Sequence, residues 1–244
     1  MNMETSNPAL RSRALRELAG RIPGEAAMTV SGTATKTIVL LLATAFSAIM
    51  VWRAGPSVYG PSMLIGIIGG LILAMATAFK PMWAPVTAPI YAVVEGLALG
   101  AISAIYQTQL AGLPMLAVAA TMSTAIVMFL VYRAGLIKVT ARMRSVATMA
   151  LLGVMATYLL QFILGFFGMS IPFINGNGAI GIAVSAFTTG LAAFFLLLDM
   201  DQVERMAAAG LPKSAEWYGA FSFLVTLVWL YLEMLRLLAK LQRR

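Results

Sequence analysis

The chain has no cysteine and no histidine, and only 9 of its 244 residues are acidic. Without a thiol or an imidazole there is no disulfide framework, no thiolate or Ser-His nucleophile, and no ordinary zinc or haem site. Charge of either sign is scarce, at 11% of residues against about 25% in soluble domains. Such a chain cannot clothe a globule in polar side chains, since 61% of it is hydrophobic and its mean hydropathy is +0.90. Most of its surface must therefore be solvated by lipid, and the composition reads as an integral membrane protein.

Seven apolar runs are present, at residues 37–52, 62–79, 86–106, 115–132, 146–167, 178–198 and 219–238. Each is near the roughly 20 residues that a helix needs to cross a hydrocarbon core of about 30 Å. None alternates with period two, which excludes barrel strands. Glycine and proline punctuate the gaps, as in Gly55-Pro56, Gly60-Pro61, Gly112 with Pro114, and Gly210 with Pro212. The sequence thus predicts an all-α, seven-transmembrane-helix bundle over 37–244, preceded by a polar tail over 1–36. Residues 10–18 of the tail read either as a short amphipathic helix or as part of a disordered, positively charged anchor.

The net charge of +8 would suggest nucleic acid in a soluble protein. Here the bases flank apolar runs, so the expected partner is the lipid bilayer and not nucleic acid. With the N-terminus inside, the cytoplasmic side collects Arg11, Arg13, Arg16, Arg21, Lys36, Lys80, Arg133, Lys138, Arg142, Arg144, Arg205 and Lys213. Arg53 faces the other way. This asymmetry predicts a cytoplasmic N-terminus. Lys240, Arg243 and Arg244 break the pattern if the seventh run crosses fully, and obey it if that run re-enters; full crossing is preferred for its length and apolarity.

Ionisable residues within the runs are the candidates for function, because each is costly to insert. Glu95 sits mid-run beside Gly96 and Gly100, whose spacing offers a small surface for close helix approach. It reads equally as a neutral acid joining two helices and as a cation ligand. Asp199 closes the sixth run, and on a helix it shares a face with Ala192, Thr188 and Ser185. Asp201 and Glu204 follow as solvated loop acids with Arg205 as a partner, unless the helix continues through them. Glu233, in the seventh run, shares a stripe with Thr226 and Ser222, and Arg236 lies three residues on, at ion-pair spacing. Gln161, one turn after Thr157, reads as an interhelical hydrogen-bond former. Asp199, Glu95 and Glu233 are thus the primary candidates for a cation pathway or proton sensor, with Asp201, Glu204 and Arg236 secondary. No catalytic constellation and no phosphate-cradling loop is present, so neither an enzyme nor a cofactor is expected, and the identity of any metal stays open.

Several stretches resemble the bacterial branch of the Bax inhibitor-1/YccA family, in the transmembrane Bax-inhibitor-motif superfamily. These are Asn7-Pro8-Ala9-Leu10, MTVSGTATKTIVLL at 28–41, PIYAVVEGLALGAIS at 89–103, LLLDMDQVER at 196–205 and EWYGAFSFLVTLVWLYLEMLRLLAKL at 216–241. The resemblance implies a seven-helix bundle with a central seventh helix and a pH-sensitive cation leak, best argued for calcium. It also implies links to membrane-embedded proteases and stress survival. Asp199 matches one aspartate of the family's pH latch. The seventh run offers no second aspartate and the second run no arginine, so proton sensing would rest on Asp199 with Glu233 or Glu95. The expectation is a multi-pass calcium-leak channel of the bacterial inner membrane. Its alternative is a non-conducting scaffold that regulates a membrane protease or another membrane protein. A secondary transporter would need a second broken-helix repeat to match the Pro81, Pro85 and Pro89 cluster, and none is seen.

Overall fold

A computed structural model describes residues 26–169, 171 and 176–243. The tail segment 10–18 lies outside the described residues. Among those described, the chain forms seven α-helices and one 3-10 turn: α1 Val30–Ala54, α2 Pro56–Phe79, the turn Pro81–Trp83, α3 Ala84–Gln109, α4 Leu113–Arg133, α5 Ala141–Phe166, α6 Ala179–Ala208 and α7 Ala215–Gln242. All seven are long and apolar enough to cross a membrane, so the fold is all-α with seven transmembrane helices.

Helix ends follow local chemistry more than hydropathy. Helix α1 starts at Val30 rather than at the apolar run's Thr37, because the Thr29 side chain caps it by accepting from the Gly32 N–H at 2.9 Å. Gly55, at φ 93°, reverses the chain between α1 and α2, and Pro56 supplies the preset first residue of α2. At the other end of the chain, α6 continues ten residues past Leu198 to Ala208, and α7 reaches Gln242 instead of stopping at Leu238. Helix α7 is one continuous element of 28 residues, about 42 Å long at 1.5 Å per residue. It has no re-entrant break.

The chain divides into two compact units, one of Met1–Ile105 with Asp201–Val225, the other of Tyr106–Met200 with Thr226–Arg244. In the first, α3 packs closely on its neighbours through small residues. A methyl at Gly96 would collide with Ser47 and Thr44 of α1, one at Gly100 with the backbone of Ala48, and one at Gly66 of α2 with Ala98. The Gly96/Gly100 face is thus the approach surface that its spacing predicts, and it is used by α1. Met28, Val203, Met206, Leu211 and Ala215 form a buried cluster nearby in this unit. Backbone bonds from Met28 N–H to Leu211 O and from Lys213 N–H to Ala26 O, both 2.8 Å, tie the α1 entry to the α6–α7 turn. In the second unit, Ala147, Leu191 and Leu198 gather Phe195 and Trp229. Its α5 has 6% of its most apolar window buried, against 56% for the turn and helix Pro81–Gln109. Helix α5 therefore faces protein along one stripe, with Ala147, Ala150, Val154 and Tyr158, and leaves the rest of its surface exposed.

Candidate functional site

The polar residues of α6 and α7 meet in the second unit. Thr226 donates its hydroxyl to Asp199 Oδ2 at 2.6 Å, Thr188 donates to Glu233 Oε2 at 2.7 Å, and Lys240 Nζ donates to Ser185 Oγ at 2.8 Å. Residue numbers fall on α6 as they rise on α7, so these bonds form the rungs of an antiparallel ladder. Ser185, Ala192 and Asp199 are spaced by seven, as are Thr226, Glu233 and Lys240. Seven residues bring a helix almost back to the same face, with a drift of about 20°. All four rung residues on the carboxylates, and both on Lys240, are buried.

Glu233 is the most elaborately held group. Besides Thr188 it accepts from Tyr158 Oη of α5 at 2.9 Å, from Trp229 Nε1 at 3.3 Å, and from Arg236 Nη1 at 3.0 Å. The ion pair to Arg236 is the i,i+3 contact that the spacing predicts. Arg236 also donates to the Tyr158 hydroxyl and lies over the Tyr158 ring, 4.7 Å from its centroid. The carboxylate, phenol and guanidinium thus close a triangle. Asp199 and Glu233 both lie on the α6–α7 contact of one unit, each accepting at least one strong bond from a buried threonine hydroxyl.

The other candidates lie in the first unit. Glu95 is half-buried on α3 with its carboxylate against Gly70 of α2, where any added methyl would clash with it. Asp201 and Glu204 are helical, within the extension of α6, so the reading as loop acids gives way to the alternative of a continuing helix. Arg205 Nε pairs with Asp201 Oδ2 at 2.9 Å, which answers the unfavourable helix dipole, while Glu204 is exposed. Among the described residues, Gln161 bonds to no other transmembrane helix. Its side chain accepts from the backbone N–H of Ile171 at 2.8 Å and so organises the α5–α6 connection. Among the described residues, no three acids approach closely enough to hold a metal ion together.

Three functional groups escape a reading by hydropathy. Lys240 counts as a tail base, yet it is buried in the ladder and also donates to Gly181 O at 2.9 Å. Tyr158 passes for an aromatic in an apolar run. Glu216, in the first turn of α7, passes for an interfacial charge beside Trp217, yet its carboxylate is paired with Lys36 and accepts from the Thr29 N–H at 2.9 Å and hydroxyl at 3.1 Å. Gly32 leaves room for it, since a methyl there would overlap the carboxylate. The seven-residue spacing of Thr226, Glu233 and Lys240 is the signal that would have exposed Lys240.

Seven lipid-solvated helices with acids buried along two of them define a multi-pass membrane protein. A family model described as Bax inhibitor 1 like matches residues 5–243, and the chain belongs to that family. No curated protein and no solved structure matches it.

Proposed function

We propose that this protein is a pH-sensitive cation leak channel, with calcium as the favoured ion, in the bacterial inner membrane. The reading rests on one observation: Asp199 and Glu233 are buried carboxylates aligned along the α6–α7 contact. Intramembrane acids facing protein mark ion or proton routes more often than structure alone requires. Protonating either acid would remove a charged acceptor from a rung and weaken the α6–α7 ladder, the kind of local electrostatic change that biases a two-state element. Glu95, in the first unit, is proposed as an intramembrane cation ligand or proton acceptor in its own right, and Arg236 is the cation that holds Glu233 until protonation. The chain needs no catalytic step for this activity. The N-terminus is assigned to the cytoplasm by the excess of bases in the tail and in alternate connections. Burial of Lys240 takes one base out of the C-terminal group that opposes this orientation.

The test is calcium entry into liposomes containing the purified protein, followed as pH is varied. The wild type should admit calcium in a pH-dependent manner, and the Asp199→Asn, Glu95→Gln, Glu233→Gln triple variant should lose at least most of that flux. Equal flux in the two would sink the proposal.

A second reading, a non-conducting scaffold for a membrane protease or other membrane protein, is favoured by a different observation. No buried side-chain nitrogen or oxygen among the described residues lacks a hydrogen-bond partner, as in a ladder built for packing. It predicts that removing residues 1–30 abolishes function while neutralising the acids does little.

A further inference from the structure

An open apolar cleft of about 370 Å³ lies between α5 and α6 in the second unit, lined by Val146, Ala150, Phe187, Leu191 and Phe194, with Arg142 as its charged residue. Its size falls within the range of about 300–1,000 Å³ common for small-molecule sites. From Arg142 to Ala150 the α5 wall rises about 12 Å at 1.5 Å per residue. A guanidinium therefore sits at the start of a groove that is otherwise hydrocarbon. Val146 and Phe187 are well exposed, so the groove opens outward, where the medium around a transmembrane helix is lipid.

Charge selects which lipid. Arg142 is exposed in the first turn of α5, and Arg133, Lys138 and Arg144 lie within ten residues of it in the chain. Between Glu95 and Asp199 the sequence contains no acidic residue at all. The helix end adds a favourable field for an anion, although the Met143 N–H is already taken by the Thr140 cap at 3.2 Å. An apolar partner helix would bury the groove but leave Arg142 without a counter-ion. A zwitterionic lipid would bring its own cation to the same place.

We infer that this cleft is a binding site for an anionic phospholipid, one acyl chain lying along the α5–α6 groove and the phosphate meeting Arg142. Basic clusters at membrane surfaces recognise anionic headgroups in this way, each Lys or Arg contributing about fivefold in affinity. The acyl chain gives residence and the guanidinium gives headgroup preference.

The site is tested by native mass spectrometry of the full-length protein released from nanodiscs of equal parts phosphatidylglycerol and phosphatidylcholine. Wild type should retain phosphatidylglycerol in preference to phosphatidylcholine. Arg142→Gln, a change at an exposed position that does not threaten folding, should lower phosphatidylglycerol retention by about fivefold and leave phosphatidylcholine unchanged. Ala150→Phe, which fills the groove, should lower both. Equal retention of the two lipids by wild type, an unaltered preference in Arg142→Gln, or retention of a second copy of the chain in place of lipid would each overturn the assignment.

Discussion

Helix α7 buries two glutamates, each 1% exposed, one in each compact unit, and holds them by opposite means. Glu216 takes its cation from another helix, Lys36 of α1, and its other donors from the Thr29 cap of that same helix. Glu233 takes its cation from its own helix, Arg236 one turn on, and asks its neighbours only for neutral donors, Thr188 from α6 and Tyr158 from α5. An acid that carries its counter-ion on the same helix enters the membrane already half neutralised. An acid whose counter-ion lies elsewhere makes association of the two helices a condition for its own burial. The first unit thus uses charge as a fastener, and the second uses it as a polar seam that neutral groups complete.

That contrast is most sharply broken by removing each glutamate in turn. Glu216→Ala strands Lys36, which is 17% exposed, and leaves two donors on Thr29 without an acceptor. A loss of about 3–5 kcal/mol is expected, as for other broken buried pairs. Glu233→Ala leaves Arg236, which is 35% exposed and still stacks on Tyr158, so the expected loss is smaller, roughly 1–3 kcal/mol. Thermal unfolding of the detergent-solubilised variants measures both. Equal losses would mean that the two acids serve the fold in the same way.

Within the seam, each rung should contribute. Thr226→Val removes a buried donor to the Asp199 carboxylate, and hydrogen bonds to charged groups contribute about 1.5–3 kcal/mol. Thr188→Val removes one of four side chains bonded to Glu233, and the remaining three limit the damage. Each change should lower the midpoint of thermal unfolding, and an unchanged midpoint in either would show that its rung does not hold α6 to α7.

How much of this the sequence discloses depends on whether a residue's partner lies on its own helix. The seven spans, the Ser185, Thr188 and Asp199 stripe and the Glu233–Arg236 pair are all properties of a single helix, and period and spacing reveal them. The partners across the ladder are not, because nothing in α6 alone says that Ser185 meets Lys240 or that Thr188 meets Glu233. Lys36, Glu216 and Lys240 share a second difficulty: each stands near the end of an apolar run, where charges ordinarily remain in the interface and set topology. Burial there arises from helices that outrun the hydrophobic segment, α1 by way of the Thr29 cap and α7 by way of its continuation to Gln242. Hydropathy reports the part of a helix that meets lipid, and these residues lie where the helix meets protein.

The smallest effects should separate the units by their glycines. Gly32 is in the first turn of α1, and a methyl there would overlap the Glu216 carboxylate, whose position is fixed by Lys36 and Thr29. The carboxylate can yield only by loosening that fastener, so Gly32→Ala should destabilise by roughly 1–3 kcal/mol, the usual cost of overpacking. Gly153, in the middle of α5, has no other atom within reach of an added methyl. There the substitution only reduces the freedom of the unfolded backbone, and Gly153→Ala should stabilise by at most about 1 kcal/mol. Opposite shifts in unfolding temperature would confirm that the first unit is closed around its ion pair while the Gly153 face of α5 is open. A destabilising Gly153→Ala would instead show that this face of α5 is occupied in the membrane by something other than fluid lipid, and would extend the contrast from side chains to whole helices.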